Sequence, residues 1–336
     1  MILEMVKPNS IVLTHLGESV PPYMLDCVKQ IRLWNPSAYI YIILDDCHKN
    51  QIFFKSLEDN YEVKLVFRSM LEQTLEHKYF LQNFKGDLAF RKGYWRHVKE
   101  RFFLIQELMI KSDLTNVLAM EYDVLLYINI DSMINVFLKD SKNMRMVRDN
   151  DQRGHPAFLF IPTVESICKF NFFLCSIIQA PLEDMQSLAA YADNSDEMKY
   201  FPVITEERNR SIEKRTSKEG HKSNNPFYLS DEFGRFNMLF DSLTVGQWVG
   251  GIDSRNTGGN RIACYENESA LYNINEMKFT WKKNPETFLW QPYLDGVLLA
   301  TIHVHCKALS CFMSDRPDFP KDDYDVKEVN SGLLPN

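Results

Sequence analysis

The sequence has no CxxC pair, and its seven cysteines are scattered and odd in number: Cys27, Cys47, Cys168, Cys175, Cys264, Cys306 and Cys311. That pattern argues against a zinc ribbon and against a complete disulfide framework. Cysteines spread in this way are expected to sit reduced and buried. Long hydrophobic runs are missing too. A run such as YIYIIL at 39–44 falls far short of the roughly 18 residues that a membrane-spanning helix needs. The first residues, MILEMVKPNSIVL, lack a basic stretch followed by a long apolar one and do not read as a signal peptide. The expectation is a soluble, cytoplasmic protein of a reducing compartment, without a transmembrane segment. On that reading the sequons at Asn209-Arg210-Ser211 and Asn267-Glu268-Ser269 arise by chance. Positive charge is in deficit: Lys plus Arg is 38 against 45 for Asp plus Glu, a net charge of −7. No overall basic footprint calls for nucleic acid as a partner. There is no GKS or GKT of a phosphate-binding P-loop and no GxGxxG fingerprint, so dinucleotide binding has no support. No internal repeat is seen.

What is present is an ordinary globular composition, 45% hydrophobic and 25% charged, which excludes a disordered or collagen-like chain. The 336 residues fit two domains or one enlarged α/β domain. Aromatic content is high, at 13%. Phe53, Phe54, Phe102, Phe103, Phe172 and Phe173 lie in apolar or helical stretches and read as core, whereas Trp248, Trp281 and Trp290 concentrate late, near glycines.

The first half alternates strands and helices. Strands are expected at Ile11–Leu13, Tyr39–Leu44, Glu62–Phe67 and Asn116–Met120. Ser19 is expected to cap a helix with Pro21 and Pro22 in its first turn. A helix over Trp95–Ile110 carries an apolar stripe of Val98, Phe102, Ile105 and Met109. Apolar strands separated by helices imply a mostly parallel sheet covered on both faces. Ligands of such sheets bind at the carboxyl ends of strands, where Asp45, Asp46, Glu121 and Asp123 all fall. After about residue 140 the pattern is less regular. Ala157–Ile161 reads as a strand, and Val164–Ile178 and Leu182–Ala192 read as helices. Residues 205–226 are polar and charged and read as a mobile surface loop. A last strand over Val297–Val304 leads into His305, and the tail from Asp315 is rich in Pro and Asp.

Four short motifs carry chemistry. In Leu118-Ala119-Met120-Glu121-Tyr122-Asp123-Val124, two carboxylates stand at i and i+2 of an otherwise apolar extended segment. In a strand such residues share a face. Two acids in apolar surroundings are costly unless something positive compensates them, and a divalent cation suits them. The competing account has one acid capping the turn and the other exposed. In Ile302-His303-Val304-His305-Cys306-Lys307, His303 and His305 share a face of the expected strand. Imidazoles bind first-row metals, and the Lys307 point charge suits a phosphate. Two satisfied histidines at a strand end fit the same letters. Glu183 and Asp184 open a helix after Pro181, which either favours the helix dipole or holds a carboxylate at a cleft. Gly246, Gly250 and Gly251 permit close backbone approach or simple turns.

The order of these features resembles that of glycosyltransferases with the GT-A fold, over roughly residues 10–310. An α/β region comes first, then a DxD variant at Glu121-Tyr122-Asp123. An acidic helix start follows at Leu182-Glu183-Asp184, and a histidine lies near the end within His303-Val304-His305-Cys306-Lys307. The departure is Glu121 in place of the first Asp. The resemblance implies one GT-A unit over residues 1–314, with a nucleotide-sugar half at 1–140, an acceptor half at 141–314, and a tail at 315–336. It implies a nucleotide-diphosphate sugar as donor, a glycan or other hydroxyl as acceptor, and Mn²⁺ or Mg²⁺. Asp123 would be the direct metal ligand, joined by His303 or His305, and a histidine ligand leans towards Mn²⁺. Glu121 would reach the metal through water or touch the sugar. Thr14, His15, Asp45 and Asp46 would lie at the nucleoside, Arg96 or Arg101 at the diphosphate or donor sugar, and Lys307 at the departing diphosphate. Asp184 matches the general base of inverting members, with Asp253 as the other candidate; inversion and retention both stay open. Trp248, Tyr265, Trp281, Trp290 and Tyr293 are the pool for an acceptor surface, from which one or two are expected to line the cleft. A sugar-phosphate nucleotidyltransferase is the first alternative, although Leu13-Thr14-His15-Leu16-Gly17 lacks its Gly-rich basic loop. A non-catalytic carbohydrate- or nucleotide-binding module is the second.

Overall fold

The structure is a computed structural model. It describes residues 10–133, 136, 137, 142–212, 215–223, 226–256 and 264–317; most of the expected tail lies outside them.

Twelve strands are found among the described residues: β1 Ser10–His15, β2 Tyr39–Leu44, β3 Val63–Phe67, β4 Val117–Met120, β5 Val124–Leu126, β6 Met144–Asn150, β7 Arg153–Ile161, β8 Met198–Tyr200, β9 Leu239–Phe240, β10 Phe279–Lys283, β11 Trp290–Leu294 and β12 Val297–His303. The central sheet has the order β3-β2-β1-β4-β7-β6-β8. Strands β3, β2, β1 and β4 run parallel, β7 is antiparallel to both β4 and β6, and β8 is parallel to β6. The expected mostly parallel sheet is therefore what the chain forms. Its interior strands β2 and β4 are continuously apolar and, beyond Tyr39, buried, as expected of parallel strands covered on both faces. A second sheet, β10-β11-β12-β5 with β9 along β12, grows from the end of β4.

The main helices are α1 Met24–Trp34, α2 Ile52–Tyr61, α3 Leu75–Asn83, α4 Tyr94–Ser112, α5 Val164–Ser176 and α6 Asp184–Asp193. Helix α2 packs on β3, α6 packs on β7, and α4 lies against α5. Phe102 of α4 meets Phe170 of α5 edge-on at 5.0 Å. Asn171 locks the pair by donating to the Phe102 carbonyl and to Gln106. No described helix is long and apolar enough to cross a membrane, and no disulfide joins the seven cysteines.

Three local expectations are corrected. Ser19 does not cap α1. Its carbonyl is held by the ring of His15, and the carbonyls of Pro21 and Pro22 accept the first free amides of a helix that begins at Met24. The strand expected from Glu62 begins at Val63, because Glu62 adopts a left-handed conformation (φ 52°) that ends α2. The segment 205–226 is not featureless. Thr205 accepts from the amide of Arg208 and caps a short helix, Glu206–Ser211, and Arg208 pairs with Asp295 at 2.7 Å. Lys218 and Glu219 likewise bond Glu266 and Ser269 outside the segment, which composition alone does not reveal. The two sequon asparagines are likewise engaged. Asn209 donates to Pro226 and Ser230, and Asn267 donates to Asp149 and Thr244.

Candidate active site

The parallel register sets the site. Leu13 of β1 lies opposite Met120 of β4, His15 opposite Leu44 of β2, and Leu44 opposite Phe67 of β3. The next residues of β2, β3 and β4 are Asp45, Arg68 and Glu121, so polar groups from four adjacent strands emerge at one carboxyl edge. The antiparallel pair β5–β12 completes it. Val124 lies opposite His303, so the end of β12 arrives where β5 begins, and the amide of Val304 donates to the Asp123 carbonyl at 2.8 Å.

Glu121-Tyr122-Asp123 forms a turn between β4 and β5, closed by the Val124 amide on the Glu121 carbonyl, and not the continuous strand expected. The two carboxylates converge all the same. His303 Nε2 lies 3.2 Å from Asp123 Oδ2 and 3.6 Å from Glu121 Oε2. One ligand atom from each of the three residues falls within 4.8 Å of the other two. Lys307 also places its ammonium on Asp123 Oδ2. Arg101, partly buried on α4, bridges Glu121 Oε1 and Asp184 Oδ2 at 2.5 Å each. Asp184 is delivered by the start of α6, which is fixed by a capping box between Glu183 and Gln186.

The charges do not cancel. Glu121, Asp123 and Asp184 contribute −3 against +2 from Arg101 and Lys307, leaving −1 while His303 is neutral. Two carboxylates and an imidazole whose Nδ1 is buried without a partner suit a divalent first-row ion such as Mn²⁺. Burial opposes ionisation of Asp123, but Lys307 and His303 outweigh it and hold the carboxyl well below its ordinary range. Burial would lower His303, and the Asp123 charge reverses that into a rise. Burial raises Asp184 and Glu121 adds to the rise, against the pull of Arg101. For Arg101 burial again works against the charge, and its two carboxylates outweigh it. The partners differ because one guanidinium is divided between two acids, so Arg101 is fully compensated and Asp184 is not.

The other sequence candidates distribute around this cluster. Thr14 and Arg101 line a small cavity with Glu121, Ala119 and Pro156. His15 donates from Nε2 to the Ser19 carbonyl at 2.5 Å and accepts at Nδ1 from the Tyr122 hydroxyl at 3.1 Å. Asp45 accepts from the Gly17 amide at 2.7 Å and faces Arg68. Asp46 is turned outward to Lys49 and Ser69. Arg96 faces Glu100 at 3.6 Å, apart from the carboxylate cluster. His305 does not share the ligand face with His303. Strand β12 stops at His303, the alternation lapses, and His305 Nδ1 accepts from the Asp253 amide. Asp253 is clasped by Arg255, which, against a burial effect of opposite sign, leaves its carboxyl below the ordinary value. Among the acceptor aromatics, Trp248 and Trp281 are core residues, 1% and 6% exposed, and Tyr265, Trp290 and Tyr293 are half-buried.

Two features went unread in the sequence. Asp241, buried after β9, accepts from the amides of His303, Val245 and Gly246 and anchors the end of β12. Asp241 is followed five residues later by Gly246, whose missing Cβ admits the His303 carbonyl, and that spacing was the available signal. A buried chain of Glu100, His77 and Glu107 backs Arg68, with His77 bonded to Glu107 at 2.7 Å and to Glu100 at 3.0 Å. Glu100 and Glu107 share a face of α4 by their spacing of seven.

No family model and no curated protein matches the sequence. Solved structures do resemble the fold. The PaToxG glycosyltransferase is 14% identical, with 55% of this chain and 68% of that chain covered and a TM-score of 0.38. The galactosyltransferase LgtC, solved with donor and acceptor sugar analogs, is 12% identical, with 65% and 81% covered and a TM-score of 0.42. Mouse xyloside xylosyltransferase 1 is 8% identical, with 61% and 91% covered and a TM-score of 0.41. All three are glycosyltransferases by name.

Proposed function

We propose that the protein is a metal-dependent glycosyltransferase, moving a sugar from a nucleotide-diphosphate sugar to a hydroxyl acceptor, within one GT-A unit over residues 1–314. The carrying observation is the convergence of Glu121, Asp123 and His303 at the sheet's carboxyl edge, with Arg101, Lys307 and Asp184 in the same network. Asp123 and His303 would hold Mn²⁺ or Mg²⁺ directly, with Glu121 beside them. The ion would supply Lewis-acid shielding of the diphosphate. Lys307 stabilises negative charge on the departing group, and Arg101 orients Glu121 and Asp184. Asp184 takes the acceptor hydroxyl proton at Oδ1, since Oδ2 is held by Arg101. Its raised affinity for a proton suits that task better than the Arg255-clasped Asp253. Thr14, His15 and Asp45 face the nucleoside side of the edge.

The test is incubation with a panel of nucleotide sugars and Mn²⁺ while free nucleoside diphosphate is measured. Slow, metal-dependent release from one donor is expected, and it names the sugar. Pyrophosphate-dependent formation of nucleoside triphosphate would assign a nucleotidyltransferase instead. Donor binding with no release at all would leave a binding module.

A further inference from the structure

Leu88, Phe90 and Tyr94 form an exposed apolar group at the head of α4, with Phe90 and Tyr94 each 39% exposed. Phe90 stacks on half-buried Trp95 at 5.4 Å with the rings 16° apart, and Tyr94 meets Trp95 edge-on at 5.1 Å. The Arg91 guanidinium stands over Phe90 at 5.2 Å. The backbone beneath is held in an unusual state. Arg91, Lys92 and Gly93 have φ of 45°, 57° and 93°, three successive left-handed residues of which only one is glycine. Such a run is retained only where its surroundings over-determine it. Here they do. Asp87 accepts from the amides of Ala89 and Phe90, Lys92 pairs with Glu18 at 2.6 Å, and Arg91 donates to Asn256 at 3.0 Å. Glu18 follows β1, and Asn256 follows Asp253, so the segment is tied to the loops on both sides of the site.

This patch is continuous with the chemistry. Tyr94 opens α4, and Arg101 lies seven residues on, two turns along the same face. Burial of the Tyr94 hydroxyl, with the charges of Asp184 and Glu121, pushes it up to about 12.

We propose that Phe90, Tyr94 and Trp95 are the acceptor platform, and that the acceptor is a pyranoside whose C–H face packs against the exposed parts of Phe90 and Tyr94 while its hydroxyls reach Arg91 and Tyr94. The proposal rests on the glycosyltransferase reading and moves the acceptor surface from the late tryptophans to the head of α4. Stiff aromatic faces bordered by hydrogen-bond donors match a ring that is apolar on one face and hydroxylated at its edge. A lipid or an aliphatic peptide would call for a broader aliphatic patch without the central guanidinium.

The test uses the full chain and a set of methyl hexosides and methyl pentosides, with Trp95 emission as the reporter. A saturable change is expected with at least one glycoside, absent in Trp95→Phe. Phe90→Ala should weaken that binding about five- to ten-fold, the worth of one aromatic contact, and Phe90→Tyr should restore it. The acceptor KM in transfer assays should rise by the same factor in Phe90→Ala. No saturable change with any glycoside, equal affinity in Phe90→Ala, or an equal response to phosphatidylcholine vesicles would each overturn the platform. Glycoside binding as described, without hydrolysis of any donor, would keep the platform as a sugar site and remove the transferase reading. Donor hydrolysis without glycoside binding would do the reverse.

Discussion

The ammonium of Lys307 rests on Asp123 Oδ2, the carboxylate oxygen that also faces His303. Lys307 therefore supplies the positive charge that a divalent ion would bring, and the two compete for one oxygen. A donor diphosphate offers the lysine another partner, so donor and metal are expected to bind cooperatively. Lys307→Met should bind Mn²⁺ more tightly than the wild type in the absence of donor, by about ten-fold, or 1.4 kcal/mol. Turnover with donor should fall at the same time. Titration calorimetry decides it: equal Mn²⁺ affinity in the two proteins would remove the competition, and Mn²⁺ binding that survives in Asp123→Ala would remove the site.

Asp184 and Glu121 share the single guanidinium of Arg101. Asp184→Asn keeps the shape and a hydrogen-bond acceptor for Arg101 but cannot take a proton. Transfer should drop by about two to four orders of magnitude, the usual worth of a general base, with donor affinity nearly intact. The measurement is kcat beside donor Kd. A variant with full activity would transfer the role to another group, Asp253 first among them.

Gly246 supports His303 from behind. A Cβ there would lie 1.8 Å from the His303 carbonyl oxygen and 3.0 Å from Asp241 Oδ2. Both contacts are with groups that hold the end of β12, so neither side can yield without moving the imidazole. Gly246→Ala is expected to cost about 3 kcal/mol of stability, at the upper end for overpacking, and to weaken Mn²⁺ binding. Urea unfolding with an unchanged midpoint would mean that β12 accommodates the methyl group.

The parallel half of the sheet was legible because its strands carry short apolar runs separated by helical stripes, and β2, YIYIIL, was read with its observed boundaries; β6, MRMVRDN, carries no such run and went unread. The DxD-like turn was legible as chemistry but not as shape, since two acids converge equally well from a turn and from a strand. The choice between His303 and His305 was not available from letters, because it depends on where β12 stops, and that is set by Asp241 and Gly246 from a distant segment. The short helix at Glu206–Ser211 within the polar stretch was not legible because hydrogen bonds between polar side chains leave no periodic signal. The aromatic group at Phe90 was missed for a related reason: nothing in FRKGYW announces three successive left-handed residues.

His15 is buried, and that burial, the largest influence on it, lowers its pKa from 6.5 to about 4; the hydrogen bond to Ser19 only partly offsets it. The geometry accommodates a neutral ring, which can donate from Nε2 to the Ser19 carbonyl and accept at Nδ1 from the Tyr122 hydroxyl. The unfolded chain takes up this proton as pH falls through about 6.5, whereas the folded chain resists until about 4. Between those values the unfolded state binds more protons, so the contribution of His15 to stability shrinks as pH falls. Above about 6.5 both states are neutral at this site and the contribution is level. His15→Gln has no such group, so the stability gap between wild type and variant should narrow from pH 6.5 to 4 and stay constant above that range. His305, also lowered to about 4 chiefly by burial, is present in both proteins and cancels in the comparison. Urea midpoints across that pH series give the answer, and a gap independent of pH would show that His15 is not held neutral between Tyr122 and Ser19.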